Sequence, residues 1–237
     1  MNDLFESANT IKDELYRQLS RIGKCLSSDK RLEILTLLSQ GPKTVEKLAA
    51  ITGMHFANVS RHLQILLEAK LVTFTKNKTH AIYSLADPAV VDLLTSLWRL
   101  SEKQLADIAK LKDGFMNELD DVQTLSMEEV YDKINTQSIL LLDLRPKEEF
   151  EIGHIPGAIS VPMEELDSFM RELQKDAEIV AYCRGPLCVY SAIAAHKLKD
   201  EGFNAYRMDE GLNEWQQHFN NAKVPEASSS DKPPRRQ

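Results

Sequence analysis

The sequence predicts two domains in series, a mostly-α one that closes on a β-hairpin and then an α/β one with a largely parallel sheet. Three observations predict it. Residues 4–85 hold four amphipathic stretches followed by two short strands. Beyond residue 120, short apolar runs alternate with helical patterns, as in parallel strands joined by helical crossovers. Charge divides the same way: residues 20–87 carry ten basic side chains against five acidic, and residues 124–220 carry nine against eighteen. A chain of 237 residues has room for about two such domains.

The elements follow in order. Residues 4–24 space Ala8, Ile11, Leu15, Leu19 and Ile22 three or four apart, one face of a helix. Residues 29–39 repeat the pattern through Leu32, Leu35 and Leu38, and Gly41-Pro42 stops it. Thr44 is placed to cap a short third helix that packs through Val45, Leu48 and Ala49. A turn at Thr52-Gly53-Met54 leads to a fourth helix over residues 56–69. In "LVTFTKNKTHAIYSL" two strands flank Lys76-Asn77-Lys78-Thr79, a hairpin. One long helix is expected over residues 88–119.

The pattern changes at Asp120-Asp121. Helices are expected at residues 126–134 and near 164–174, with strands at 139–142, 178–182 and 204–208, and a helix after the second strand. The expected division is 1–120, 121–220 and a tail, 221–237, whose "VPEASSSDKPPRRQ" has the composition of disorder. No apolar run reaches the roughly 18 residues that span a bilayer. The N-terminal stretch is acidic and amphipathic, without the layout of a signal peptide. Three cysteines make no disulfide scaffold, and a reducing cytoplasm is the expected location.

Two short helices joined by a tight turn and followed by a hairpin form a winged helix-turn-helix. On residues 56–69 the apolar Val59, Leu63 and Leu66 take one face. Asn58, Arg61 and Gln64 take the other, with Ser60 and His62 flanking. Arg bonds guanine and Asn or Gln bonds adenine in the major groove, while Ser and Lys suit phosphates. Lys76 and Lys78 at the hairpin tip are placed to reach the DNA backbone or minor groove. The alternative is an exposed polar face with no partner.

The stretch from Asp29 to Asp87, and above all "VSRHLQILLEAKLV", resembles the ArsR family of bacterial repressors over about residues 15–110. The resemblance implies a double-stranded DNA operator and a homodimer. Val91, Leu94, Trp98, Leu105 and Ile108 make an apolar stripe able to pair, or to pack inside its own domain. Metal-sensing members of the family place a Cys-x-Cys pair in the segment matching 45–52, here "VEKLAAIT", or Asp and His ligands on the last helix. Residues 88–119 contain neither His nor Cys, and the six histidines show no paired ligand spacing, so no metal or cofactor is expected. Cys25 is either a buried core residue or an accessory sensor thiol.

"LLDLRPKEEFEIGHIPGAISVP" resembles the signature of rhodanese domains at Asp143, Arg145, Phe150, Gly153, His154, Ile155, Gly157, Ala158 and Pro162. "EGLNEW" resembles the family's closing Gly-x-x-x-Trp, and the likeness spans residues 124–219. Asp143 and Arg145 are expected to pair at the end of the first strand. The resemblance makes Cys183 the sulfur-accepting nucleophile. Arg184, Gly185, Pro186, Leu187, Cys188 and Val189 are then the cradle for its anion. Backbone N–H groups converging on the sulfur, with a helix N-terminus behind them, are expected to hold Cys183 below the roughly 8.5 of a free thiol. Many rhodanese loops carry a second arginine where this sequence has Cys188. Its loss argues against phosphatase chemistry and bears on anionic donors such as thiosulfate. Cys188 is either a small apolar helix residue or a second thiol that resolves a Cys183 persulfide.

Taken together, these readings describe a transcriptional regulator whose rhodanese domain forms a persulfide on Cys183 and couples sulfur species to gene control. Thiosulfate or polysulfide is the expected donor. Two alternatives stay open: a sulfurtransferase enzyme tethered to a DNA-binding module, and a non-catalytic rhodanese oxyanion sensor.

Overall fold

A computed structural model describes residues 2–119, 122–136, 138–174 and 176–221. The chain divides into two compact units, Met1–Glu118 and Leu119–Gln237. The stretch expected as a disordered tail lies outside the described residues, except for Asn221, which ends a helix.

The first unit runs α1 (Asn2–Leu26), α2 (Asp29–Ser39), β1 (Lys43–Thr44), α3 (Val45–Thr52), α4 (Phe56–Glu68), β2 (Val72–Asn77), β3 (His80–Leu85), α5 (Ala89–Gln104) and α6 (Ala106–Asn117). Local chemistry sets the starts. The Ser28 side chain accepts from the Arg31 N–H to cap α2, and Thr44 accepts from the Lys47 N–H to cap α3. Ile34, Leu35, Leu48, Val59, Leu63 and Leu66 close one core between α2, α3 and α4, so the apolar face expected for α4 does turn inward. The hairpin β2–β3 pairs antiparallel from Val72–Leu85 to Asn77–His80, and Lys78 in its two-residue loop takes φ 54°. The two-residue β1, absent from the expected elements, adds a third strand against β3.

The single helix expected over residues 88–119 is two helices. Leu105 takes an extended backbone, φ −105° and ψ 98°, which ends α5 and starts α6. From there α6 returns alongside α5, where Lys112 bonds Glu102 at 2.7 Å and lies 5.7 Å over the Trp98 ring. The stripe of Val91, Leu94, Trp98, Leu105 and Ile108 therefore does not run along one rod.

The second unit contains α7 (Met127–Asn135), β4 (Leu140–Asp143), α8 (Lys147–Ile152), β5 (Ala158–Ser160), a 3-10 turn (Met163–Glu165) and α9 (Leu166–Met170). It continues with β6 (Glu178–Tyr182), α10 (Tyr190–Asp200), β7 (Asn204–Arg207) and α11 (Leu212–Asn221). Four strands form a wholly parallel sheet in the order β5-β4-β6-β7. Alternation along the strands fills both faces. Leu142, Ile179 and Ala181 pack with Ala194 and Leu198 of α10. Leu141, Val180 and Tyr182 pack with Val130 of α7 and Trp215 of α11. Strand order reverses between β4 and β6, so the crevice beyond their carboxyl ends is where such a sheet presents a ligand site. Asp143 ends β4, and Cys183 follows β6.

Candidate functional site

In the first unit, α4 leaves Asn58, Arg61 and Gln64 exposed on the side away from Val59, Leu63 and Leu66, with Ser60 half-buried beside them. His62 differs. It is half-buried, and its Nδ1 is enclosed without a hydrogen-bond partner. That burial, reinforced by the nearby Arg31 and Arg61, pushes its pKa down and keeps it neutral. Lys76 and Lys78 are exposed on the hairpin. Cys25 is 3% exposed within the core, and burial pushes its thiol up.

In the second unit, the end of β4 is a sealed polar cluster. Asp143 and Arg145 are both buried, and Arg145 bonds both Asp143 carboxylate oxygens and the Gly153 carbonyl, the last at 2.8 Å. The Tyr182 hydroxyl donates to Asp143 at 2.5 Å and accepts from the Ile155 N–H at 3.2 Å. Burial, with the Asp143 charge behind it, pushes the Tyr182 pKa up, so the phenol stays protonated. Asp143 and Arg145 therefore form the ion pair expected of them. The cluster ties β4, the Gly153–Ile155 turn and β6 together, with Tyr182 and Cys183 as chain neighbours.

Cys183 is 2% exposed and faces the Ala194 and Leu198 side of the sheet. Its loop turns back through a Cys188 N–H to Gly185 carbonyl bond of 2.9 Å, and α10 begins two residues after Cys188. The two sulfurs meet at 2.8 Å, joined by an S–H···S contact between Cys188 and Cys183. Two glycines make the turn. Gly185 takes φ +120°, and Gly211, ahead of α11, lies so close that a Cβ there would sit 2.7 Å from the Arg184 carbonyl carbon. The Glu214 carboxylate accepts from the Gly211 N–H at 3.0 Å and fixes that approach.

The pair titrates as a unit. Cys188 is held down to about 6, first by its contact with Cys183, then by the Tyr190 and Arg184 backbone N–H groups and the Arg184 charge. Cys183 is pushed up by that same contact and by burial. The loop amides and helix start favour an anion on the pair of sulfurs, where the sequence placed it on Cys183 alone. Arg184 bonds Glu149 through Nε at 2.9 Å and an Nη at 3.0 Å. Around the two sulfurs the rim is apolar, with Leu187, Val189 and Tyr190 exposed.

Comparison with known proteins bears on both units. The description "Bacterial regulatory protein, arsR family" matches residues 28–73, and "Rhodanese-like domain" matches residues 126–218. The chain is 37% identical over 204 residues to the HTH-type transcriptional regulator Rv0324 of Mycobacterium tuberculosis, covering 86% of this chain and 89% of that one. It belongs to the ArsR family of regulators, with a C-terminal rhodanese domain. The regulator is also 36% identical over 114 residues to the adenylyltransferase and sulfurtransferase MOCS3 of Drosophila persimilis, across 44% of this chain and 25% of that enzyme. A solved structure, the homodimeric winged helix-turn-helix DNA-binding domain Mb0332 from Mycobacterium bovis, is 35% identical. It covers 40% of this chain and 87% of its own, with a TM-score of 0.38.

Sequence reasoning missed Glu149. It lies on α8, buried at 3% exposure, where the charged run "PKEEFE" reads as a solvated helix start. The available signal was register: Glu149 precedes Phe150 of the rhodanese signature and shares the turn that carries it. Phe150 in turn stacks on His154 at 3.8 Å, and its carbonyl lies 3.0 Å from His154 Nδ1.

Proposed function

We propose that this regulator binds operator DNA as a homodimer through α4 and the β2–β3 hairpin. Its rhodanese domain takes a sulfane sulfur onto Cys183 as a persulfide, and that loading changes DNA binding. The carrying observation is the place of Cys183, at the carboxyl end of β6 in a loop that leads into α10 and whose Arg184 and Tyr190 N–H groups serve the two sulfurs. A persulfide is itself an anion, so the same N–H groups stabilise the loaded state. On the DNA side the support is the exposed Asn58, Arg61 and Gln64, with Ser60 at their edge and Lys76 and Lys78 on the hairpin. His62 lies at the margin of that face.

Dimerisation is supported by apolar surface. Ile11, Leu15, Tyr16 and Leu19 on α1, and Leu100, Leu105 and Leu111 along α5 and α6, are more than half exposed. Apolar side chains in such numbers on one helix are the kind that a partner covers. A reducing cytoplasm suits a regulator that works with free thiols, and Cys25, Cys183 and Cys188 are unbridged. Among the described residues no helix is long and apolar enough to cross a membrane.

The likeness to MOCS3, a sulfurtransferase by name, favours a second reading in which sulfur transfer is the main activity and DNA binding directs it. A non-catalytic oxyanion sensor has less support, since the loop's arginine is engaged by Glu149. One experiment tests the main reading: intact-mass spectrometry of the full-length protein after sodium polysulfide, in parallel with its operator affinity. Sulfur on Cys183 with a change in affinity that Cys183→Ser abolishes is the expected result. Sulfur transfer to an acceptor with unchanged affinity favours the tethered enzyme.

A further inference from the structure

The cysteine loop holds two thiols, and persulfide formation uses one. The second stands in contact with the first. An S–S bond is about 2.05 Å, so the 2.8 Å between Cys183 Sγ and Cys188 Sγ needs a closure of only about 0.8 Å. The two sulfurs also differ in setting. Cys183 is sealed at the base of the loop, whereas Cys188 is half-buried near the start of α10, under the Tyr190 and Arg184 N–H groups. Sulfurs this close share one proton when the pair carries one negative charge.

The surroundings choose the donor. A doubly charged thiosulfate needs cationic partners to leave water. Here the position of the second loop arginine is Cys188, and Arg184 is bound bidentately by Glu149, whose side chain is 4% exposed. The thiolate adds a negative charge, and the rim is Leu187, Val189 and Tyr190. A hydropolysulfide, chain-like, weakly hydrated and at most singly charged in its hydrogen form, meets less opposition.

Resting on the persulfide reading, we propose that Cys183 and Cys188 act together as a two-electron sulfane-sulfur switch. It takes sulfur from hydropolysulfide rather than thiosulfate and ends as an intramolecular disulfide. The steps balance. The proton of the pair rests on Cys188 Sγ, and the Cys183 thiolate attacks one sulfur of hydrogen disulfide, HS–SH. The donor S–S bond breaks, HS⁻ leaves and takes up the proton from Cys188, and Cys183 holds an S–SH group. The Cys188 thiolate then attacks Cys183 Sγ, the sulfur it already touches. The S–SH bond breaks and a second HS⁻ leaves, taking a proton from water. Two thiols are oxidised to one disulfide, and the donor is reduced to two molecules of hydrogen sulfide. Thiol–disulfide exchange of this kind runs fastest when the attacking sulfur is a thiolate and the leaving group is of low pKa, as hydrosulfide is.

The test uses full-length protein without oxygen, treated with sodium disulfide or with sodium thiosulfate and read by intact mass and peptide mapping. With sodium disulfide the native protein should lose two hydrogens, gain no sulfur and show residues 183 and 188 joined. Cys188→Ala and Cys188→Ser should instead each retain one added sulfur on Cys183, the two variants guarding against a folding defect in either. Thiosulfate should leave the native protein unmodified over the same interval. A native protein that keeps one sulfur on Cys183 and never bridges overturns the switch while the persulfide reading stands. Equal loading by thiosulfate overturns the donor choice. No sulfur on Cys183 in either variant and no bridge in the native protein sinks both readings.

Discussion

Glu149→Gln isolates the ion pair beneath the cysteine loop. The Glu149 side chain is 4% exposed and that of Arg184 15%, and two hydrogen bonds of 2.9 and 3.0 Å join them. Glutamine keeps the shape and one acceptor oxygen, so what is lost is the charge. Breaking a buried pair by removing one partner costs about 3–5 kcal/mol, because the remaining ion is left desolvated. Arg184 keeps some contact with water, which places the expected loss at the lower end, about 3 kcal/mol. For a domain of roughly this size, at about 4 °C per kcal/mol, the C-terminal unit should melt about 12 °C lower. Native-state hydrogen exchange on the full-length protein, read on peptides covering β6, measures the loss where it arises. Replacing both residues, Glu149→Gln with Arg184→Met, should recover most of it, since no uncompensated charge remains. A single-variant loss below about 1 kcal/mol, or a double variant as unstable as the sum of the singles, would refute the idea that this pair holds the loop.

Three further outcomes are expected. Arg61→Ala should weaken specific operator binding by about 1–3 kcal/mol and relax preference at one base pair, whereas Lys78→Ala should weaken binding to all sequences alike, both read by fluorescence anisotropy at several salt concentrations. Gly211→Ala should cost about 1–3 kcal/mol and slow sulfur loading, because its Cβ would meet backbone at 2.7 Å rather than a yielding side-chain end. Alkylation of Cys188 by iodoacetamide should rise with pH around a midpoint of about 6, and in Cys183→Ala that midpoint should move up toward 9.0, since the contact with Cys183 is the largest influence holding it down. An unmoved midpoint would mean that the backbone N–H groups alone hold the thiolate.

The two-domain architecture was legible because each unit's periodicity is strong. The apolar face of α4 and the runs of β4 and β6 leave little choice of element type, and the matching of Asp143 with Arg145 follows from a two-residue spacing at a strand end. What escaped depends on tertiary contact. The break at Leu105 carries no Gly or Pro signal, and α6 is held back against α5 by Lys112 reaching Glu102 and Trp98. Strand β5, three residues of alternating burial, is too short for a period to declare itself. Glu149 reads as a surface acid until Arg184, far along the chain, is seen beside it. The cysteine loop lies between a strand and a helix as expected, but the meeting of its two sulfurs was not legible, because spacing along the chain does not give a sulfur–sulfur distance.

That contact also sorts the regulator's three cysteines, which are chemically identical in the unfolded chain. Cys25 is enclosed by the core of the winged unit, where ionisation has no compensating donor strong enough to offset burial, so its thiol is pushed up. A reagent that needs a thiolate meets a closed side chain and a protonated sulfur there, and reaching it requires the core to open. Cys183 is equally buried but shares a proton with a neighbour 2.8 Å away, so it becomes nucleophilic by leaving that proton on the neighbour rather than by releasing it to water. Cys188 is held below an ordinary thiol and is the more accessible of the two sulfurs of the pair. Burial and hydrogen bonding thus direct reactivity to the rhodanese loop and away from the DNA-binding core. In a mixture of all three thiols at neutral pH, iodoacetamide should label Cys188 first and Cys25 last. Labelling of Cys25 ahead of the pair, under conditions where the winged unit remains folded, would show that accessibility of the N-terminal core, and not the anion of the loop, governs the chemistry of this regulator.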